Sequence, residues 1–330
     1  MKPQVSIIIA TFNRAQLLPI AVASALQAGR DPEVIVVDDA STDKTSAVCQ
    51  SLVGVRVLRL SKNVGLAAAR NAGIEQSRGE FIALLDDDDR RLPDTLPAQL
   101  HSLGENPQAA FSYARVLLGD CQTGEPTGAS VPQEIHAGDI FWKLARANFI
   151  PGLSVVMRRQ ALLEVGLFNP KLRQVEDWDL WLRMSERWPV AAIEQPVAIY
   201  RMFERSSAQL SSKRALMVRA AAAVQRAALR RPRARADETR RRACRRNFLR
   251  EMRHTLLLET AEALLAGEKK AARSYLRTVL ALAPAEWSEV RELGALAISR
   301  TKATDRGFVK RVKAARKQLW ARARSDETTS

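Results

Sequence analysis

Apolar positions in the first two-thirds of the chain come in short, separated runs. "VSIII" (Val5–Ile9) and "VIVV" (Val34–Val37) are nearly continuous β-branched stretches, the pattern of strands covered on both faces. "VRVLRL" (Val55–Leu60) alternates instead and predicts a strand with one wetter side. "FIALL" (Phe81–Leu85) is a fourth strand, and "AFSYARVLL" from Ala109 a further candidate. Between them, helical patterns cover Ala15–Ala28, Thr42–Leu52, Leu66–Ser77 and Pro93–Leu103, with Gly79 as the C′ residue closing the third. Alternation of this kind up to about Pro196 predicts an α/β fold with parallel strands and right-handed crossovers. Past residue 213 the pattern is helical throughout, and Leu264–Pro284 reads as a helical hairpin turning at Gly267.

Ligands of open α/β sheets bind beyond the carboxyl ends of the strands. Four polar clusters occupy those ends: "ATFNR" (Ala10–Arg14), "DDAST" (Asp38–Thr42), "SKNVG" (Ser61–Gly65) and "DDDD" (Asp86–Asp89). One cluster would mean little, whereas four on one rim indicate a site. The aspartate run invites a divalent cation shared with a diphosphate, since Mg²⁺ and Mn²⁺ take carboxylate, phosphate and water oxygens. Asp86 and Asp88 face the same way if extended geometry persists, with Asp87 turned elsewhere. Asp38 and Asp39 exceed what a helix cap requires; Asp43 or Thr42 suffices for that. A carboxylate at this place can accept the imide N–H of uracil or thymine. Arg70 lies near the front of its helix, where its charge opposes the dipole, and so calls for an anionic or nucleotide partner. In "VEDWDLWLRM" (Val175–Met184), Trp178, Trp181 and Leu182 have the spacing of a core face, and Asp179 with Arg183 forms an i, i+4 pair. Glu176 and Asp177, at the start of that helix, are the natural source of a general base.

Composition changes the picture in one place. The net charge of the 330 residues is +16. Residues 1–212 hold 22 Lys and Arg against 24 Asp and Glu, and residues 213–330 hold 30 against 12. All the basicity therefore belongs to the last third, and the break sets the expected domains: 1–212 and 213–330. Cys49, Cys121 and Cys244 are scattered, without disulfide or zinc spacing. Neither a signal-peptide pattern nor a bilayer-spanning apolar run is read from the sequence, so the expected location is cytoplasmic.

The stretches "VSIIIATFNR", "VIVVDDASTDKT", "NVGLAAARNAGIEQSRGEFIALLDDDDRRLP" and "EDWDLWLRM", in this order, resemble the inverting glycosyltransferases of family 2. The resemblance covers roughly Val5–Ser212. It implies a GT-A-type nucleotide-binding fold, with a mixed sheet flanked by helices, ahead of the all-α basic region. It also implies transfer of a sugar from a nucleoside-diphosphate sugar, UDP- or dTDP-linked, to an acceptor hydroxyl in cell-surface polysaccharide or glycan assembly. Thr11, Phe12, Asn13 and Arg14 would lie by the nucleotide, with Asp38 or Asp39 on the base and Asn63, Gly65 and Arg70 nearby. Asp86 and Asp88 correspond to the DxD positions; Asp86 would face the ribose or the metal and Asp88 the metal (Mn²⁺ or Mg²⁺), with Asp87 between them. Asp177 matches the catalytic base, Glu176 being the second choice. A histidine found in many members after "YR" is replaced here by Met202 and Phe203. His101, His136 and His254 offer no substitute by sequence.

Other classes fit less well. A sugar nucleotidyltransferase needs a Gly-rich loop after the first strand, which is absent. A non-catalytic nucleotide-sugar or nucleic-acid binding protein would not need the acidic pair Glu176–Asp177. The basic tail, "RRPRARADETRRRACRRNFLREMRH" (Arg230–His254), has few aromatics for base stacking. It is read instead as a contact for an anionic membrane surface, on its inner face, where lipid-linked acceptors are found.

Overall fold

The computed structural model describes residues 3–172, 174–202, 207–282, 295, 297, 307 and 309–313. The chain divides into two compact units, Met1–Glu204 and Arg205–Ser330.

The first unit begins with β1 (Val5–Thr11), α1 (Leu18–Leu26), β2 (Glu33–Asp38), α2 (Thr45–Ser51), β3 (Val55–Arg59), α3 (Leu66–Gln76) and β4 (Phe81–Asp86). It continues through β5 (Arg90–Arg91), α4 (Leu96–Glu105), β6 (Phe111–Gly119), β7 (Pro126–Val131) and α5 (Phe141–Arg146). A 3-10 turn at Gly152–Ser154, β8 (Val156–Arg158), α6 (Arg159–Val165), α7 (Glu176–Ser185) and β9 (Ala191–Arg201) complete it. One sheet runs in the order β3-β2-β1-β4-β8-β6-β9-β5, with β7 paired to β6. The first four strands are parallel. Then β8 pairs antiparallel with both β4 and β6, which makes the sheet mixed.

The sequence explains the parallel half. Every residue of β1 and β2 is buried, whereas no residue of the edge strand β3 is, and Arg56, Val57 and Arg59 are exposed. Helix α3 lies unusually close to the sheet: a Cβ on Gly73 would stand 2.6 Å from Cγ2 of Ile8 and 2.9 Å from Cγ2 of Val37. Gly79 serves a different purpose from the one expected. Helix α3 ends at Gln76 with Ser77 as its C-cap. Gly79 lies two residues further on, where a Cβ would meet the Ser6 amide nitrogen at 2.6 Å. Close approach of two backbones, and not a helix cap, requires glycine there.

The second unit is helical: α8 (Ser207–Ala228), α9 (Pro232–Arg235), α10 (Glu238–Leu265) and α11 (Lys269–Leu282). Asp237 caps α10 by accepting the Arg240 amide at 2.9 Å. Helices α10 and α11 form the expected hairpin, with Gly267 at φ 79° in its turn. Their core includes Leu256, Leu257, Leu264, Tyr275 and Val279, joined by Val218 of α8. The charge break at residue 212 falls inside α8. Among the described residues, no helix is long and apolar enough to cross a membrane.

Candidate active site

The loops after β1 and β2 are tied together by side-chain bonds. The Asn13 amide donates to Oγ of Ser41 at 3.0 Å, and the Arg14 amide to Oγ1 of Thr45 at 2.8 Å. Asn13 and Ala40 take positive φ, 56° and 59°, so both loops turn sharply at the strand ends. Asp43 accepts the Thr45 amide at 2.9 Å and serves the start of α2, while Thr42 bonds Asn13.

The adjacent carboxylates after β2 separate in role. Asp38 is fully buried; its oxygens accept from the Ser41 amide and the Arg59 guanidinium, both at 2.8 Å. Asp39 accepts the amides of Val64 at 2.7 Å and Gly65 at 2.8 Å. It thereby fixes the turn that starts α3, where Gly65 has φ 87°. Asp39 also lines a cavity of about 290 Å³ together with Thr11, Phe12, Asn63, Gly65 and Asp87. Phe12 is 42% exposed at this cavity, an open aromatic face of the kind on which a nucleotide base stacks.

The four aspartates do not continue the strand. Strand β4 stops at Asp86, and the Asp89 amide returns to the Asp86 carbonyl at 3.2 Å, so Asp86–Asp89 form a turn. Side-chain alternation is lost there, and Asp87 faces the cavity rather than away from the site. Arg14 approaches Asp87 at 4.0 Å and Asp88 at 3.6 Å. Burial, with Asp88 and Asp86 adding repulsion, pushes Asp87 up to about 6. Burial likewise raises Asp88, with Asp86 reinforcing it. Asp89 is pushed up to about 9 by burial and then by Asp86. One Asp89 oxygen accepts the Arg201 amide at 2.8 Å, and its other oxygen, Oδ2, is buried with no partner. The turn crowds four carboxyl groups together, a donor set that fits a divalent cation at Asp86 and Asp88. Among the described residues no three His, Cys, Asp or Glu side chains form a protein cage. A cation there would take its other ligands from phosphate and water, as Mg²⁺ commonly does.

Arg70 joins this turn to α7. Its guanidinium donates to Oδ1 of Asp86 at 2.5 Å and to Oε1 of Glu176 at 2.9 Å, and it packs on the Phe168 ring. Burial alone would lower its pKa; Asp86 and Glu176 outweigh that and raise it. The anionic partners that its position in α3 demanded are therefore two carboxylates of the protein itself. Asn71, one residue on, exchanges two hydrogen bonds with the Phe168 backbone, at 2.8 and 2.9 Å, and fixes the loop leading to α7.

Helix α7 starts from Val175 in a left-handed conformation, φ 57° and ψ 22°. This is a strained state for a β-branched residue, and such strain collects at functional sites. Trp178, Trp181 and Leu182 are core, and Arg183 pairs with Asp179 at 2.9 Å, as the sequence predicts. Glu176 is buried against Arg70. Asp177 is partly exposed; it accepts from Nδ2 of Asn148 at 3.3 Å and from the Trp178 amide at 2.6 Å. Burial, and then the Glu176 charge, push Asp177 up to about 6. Asn148 carries no motif in the sequence, and the "YR" pair that contains Arg201 does not announce the contact of its amide with Asp89; only the fold brings both to these acids. Met202 donates its amide to the Gly119 carbonyl at 3.0 Å, and Phe203 lies outside the described residues.

The cavity of about 290 Å³ lies beside the acidic turn, at the carboxyl ends of the parallel strands, where ligands of open α/β sheets bind. Residues 6–166 match the pattern of Glycosyl transferase family 2. TuaG of Bacillus subtilis, named for a teichuronic acid biosynthesis glycosyltransferase, is 32% identical over 213 residues, 62% of this chain and 81% of that protein. An uncharacterized glycosyltransferase of Haemophilus influenzae is 30% identical over 185 residues, 55% of this chain and 62% of that protein. Of other curated relatives the chain spans a third of the length. S. aureus TarS 1-349, crystallised with UDP-GlcNAc, superposes with a TM-score of 0.59 at 16% identity, over 96% of this chain and 92% of that one. The chain belongs to glycosyl transferase family 2, and its fold is of the GT-A type seen in TarS.

Proposed function

We propose that this chain transfers a sugar from a nucleoside-diphosphate sugar to an acceptor hydroxyl, with inversion at the anomeric carbon. The observation that carries this reading is the Arg70 clamp, one guanidinium bonded to both Asp86 and Glu176. It ties the acids that would face the donor to the start of the helix that bears Asp177.

In this reading Phe12 stacks on the base. Asp39 accepts its imide N–H through lone pairs left over from the Val64 and Gly65 amides. Asp38 is fully buried and does not line the cavity, so it does not reach the base. Asp86 and Asp88 hold the divalent cation, Mn²⁺ or Mg²⁺, which when bound supplies charge neutralisation to the departing diphosphate. Asp177 takes the proton of the acceptor hydroxyl as its oxygen bonds to the anomeric carbon. The bond from that carbon to the diphosphate oxygen breaks on the opposite face, and the diphosphate leaves with the electron pair. With a pKa of about 6, Asp177 is ionised at neutral pH yet more basic than a free carboxylate. Asn148 orients it, and Glu176, paired with Arg70, positions the helix end.

The UDP-GlcNAc bound to TarS favours uridine over thymidine as the base, and TuaG's name favours a cell-surface polysaccharide as the product. A glycan or lipid-linked acceptor at the inner face of the membrane suits both. Calorimetric titration of the full chain with UDP-, dTDP- and GDP-sugars, with and without Mn²⁺, tests the reading. Binding of one sugar nucleotide is expected, strengthened by the metal and weakened at least tenfold in Asp88→Ala. If no sugar nucleotide binds with either Mn²⁺ or Mg²⁺, the reading fails.

A further inference from the structure

The second unit contains a cavity of about 690 Å³, formed by α10 with the end of α8 and the residues just after it. Among the described residues its walls are eight arginines and two leucines, with no aspartate or glutamate. Arg242, Arg245, Arg246, Leu249 and Arg253 recur at the three- and four-residue spacing of a single helix face, so α10 turns one cationic stripe toward the space.

A solvated helix face is the ordinary explanation for such a stripe, and two details oppose it. The first is that Arg245 is held in place: its guanidinium donates at 2.8 Å to Oε1 of Gln225, which is fully buried. The partner that orients it is a neutral amide, so the charge is fixed in position without being cancelled. The second is the local imbalance. Glu238 is shared by Arg241 and Arg242, at 2.5 and 2.6 Å. Burial, and then the Arg226 charge, lower the Arg245 pKa, as expected where cations crowd one another. The leucines matter as well. Leu229 and Leu249 add apolar wall between the guanidinium groups, and planar forked donors over an apolar wall suit a phosphate group carried on an apolar chain.

We propose that the cavity between α10 and the end of α8 is a binding site for phosphate-class dianions, mono- or diphosphate groups, free or as the headgroup of a lipid. This lies in a different compact unit from the nucleotide cavity and goes beyond the glycosyl-transfer reading.

Titration of the full chain with inorganic pyrophosphate, in the absence of divalent metal, is the direct test. Binding that weakens as salt is raised is expected. Arg245→Gln/Arg246→Gln should lose at least tenfold in affinity, while Arg219→Gln/Arg277→Gln, with the same net charge but exposed residues away from the cavity, should change less than twofold. If the first pair misfolds by circular dichroism, Arg226→Gln/Arg242→Gln, both exposed, carries the same expectation. A second arm sediments the protein with vesicles containing phosphatidic acid, with and without pyrophosphate as competitor. Pyrophosphate binding with vesicle capture that pyrophosphate reverses supports the site with a lipid source; pyrophosphate binding without vesicle capture supports it with a soluble source. No pyrophosphate binding, equal loss in both double variants, or capture of an RNA oligonucleotide without pyrophosphate binding overturns it. Sugar-nucleotide binding, read separately with Mn²⁺, keeps this outcome distinct from that of the glycosyl-transfer reading.

Discussion

Asp177 and Glu176 are adjacent acids with different environments, and that difference assigns their roles. Glu176 is buried and paired with Arg70, whereas Asp177 faces Asn148 with a pKa of about 6. A base must be ionised to accept a proton, so kcat/KM should be level above about pH 7 and fall tenfold per unit well below pH 6. The Glu176 charge is one cause of the raised value, so Glu176→Gln should move this acid limb to lower pH while transfer survives. Asp177→Asn should spare sugar-nucleotide binding and reduce transfer at least a thousandfold. Steady-state rates from pH 5 to 8 for the three proteins check both points; transfer surviving in Asp177→Asn with loss in Glu176→Gln would move the base by one residue. Arg70 is the costly residue to disturb. Breaking a buried ion pair from one side typically costs about 3–5 kcal/mol, and Arg70→Met would strand Glu176 while releasing Asp86. Urea unfolding should show a loss of that order.

At the scale of elements, the half of the sheet that carries the cavity lined by Phe12 and Asp39 was legible because β1, β2 and β4 are buried along almost their whole length. Their apolar runs could be nothing but covered strands, and the polar clusters after them had to share a rim. In the other half only β6 was legible, as the apolar run from Ala109; the remaining strands were hidden for physical reasons. Strand β5 has two residues, β7 is mostly exposed, and β9 takes Pro196 into a register shift against β6. None of these presents a periodic pattern. Asn148 and Arg201 reach the acids through that half, so their parts were equally unreadable. The aspartate turn was visible as a charge cluster, but its loss of alternation depended on where β4 stops. Glycines gave a further mixed signal: Gly79 marks a close approach and not a cap. Gly73 predicts a sharper effect. Its Cβ would overlap Ile8 and Val37, so Gly73→Ala should lift α3, and with it Arg70, from the sheet at a cost of about 1–3 kcal/mol. A reduced midpoint in urea with an unchanged slope would check the stability effect, and a weaker Mn²⁺–donor affinity would check the link through Arg70.

For the whole molecule the informative quantity is the contrast between units. Each has its own apolar core, but residues 1–212 are close to neutral while residues 213–330 carry the surplus of 30 basic over 12 acidic residues. Self-repulsion destabilises a compact state of high net charge, and it is screened as the Debye length shortens from about 10 Å at 0.1 M salt to about 3 Å at 1 M. Scanning calorimetry of the full chain should therefore resolve two transitions with separate sensitivities. Sodium chloride raised over that range should shift one transition upward by several degrees and leave the other nearly still. UDP-sugar with Mn²⁺ should raise the salt-insensitive one, since a ligand stabilises only the native state it binds. Pyrophosphate without metal should raise the salt-sensitive one, and Arg245→Gln/Arg246→Gln should both raise that transition at low salt, by removing like charges, and abolish its response to pyrophosphate. A single transition that answers to salt and to both ligands together would mean that the units unfold as one. A salt-sensitive transition indifferent to pyrophosphate would leave the arginine stripe as surface charge alone.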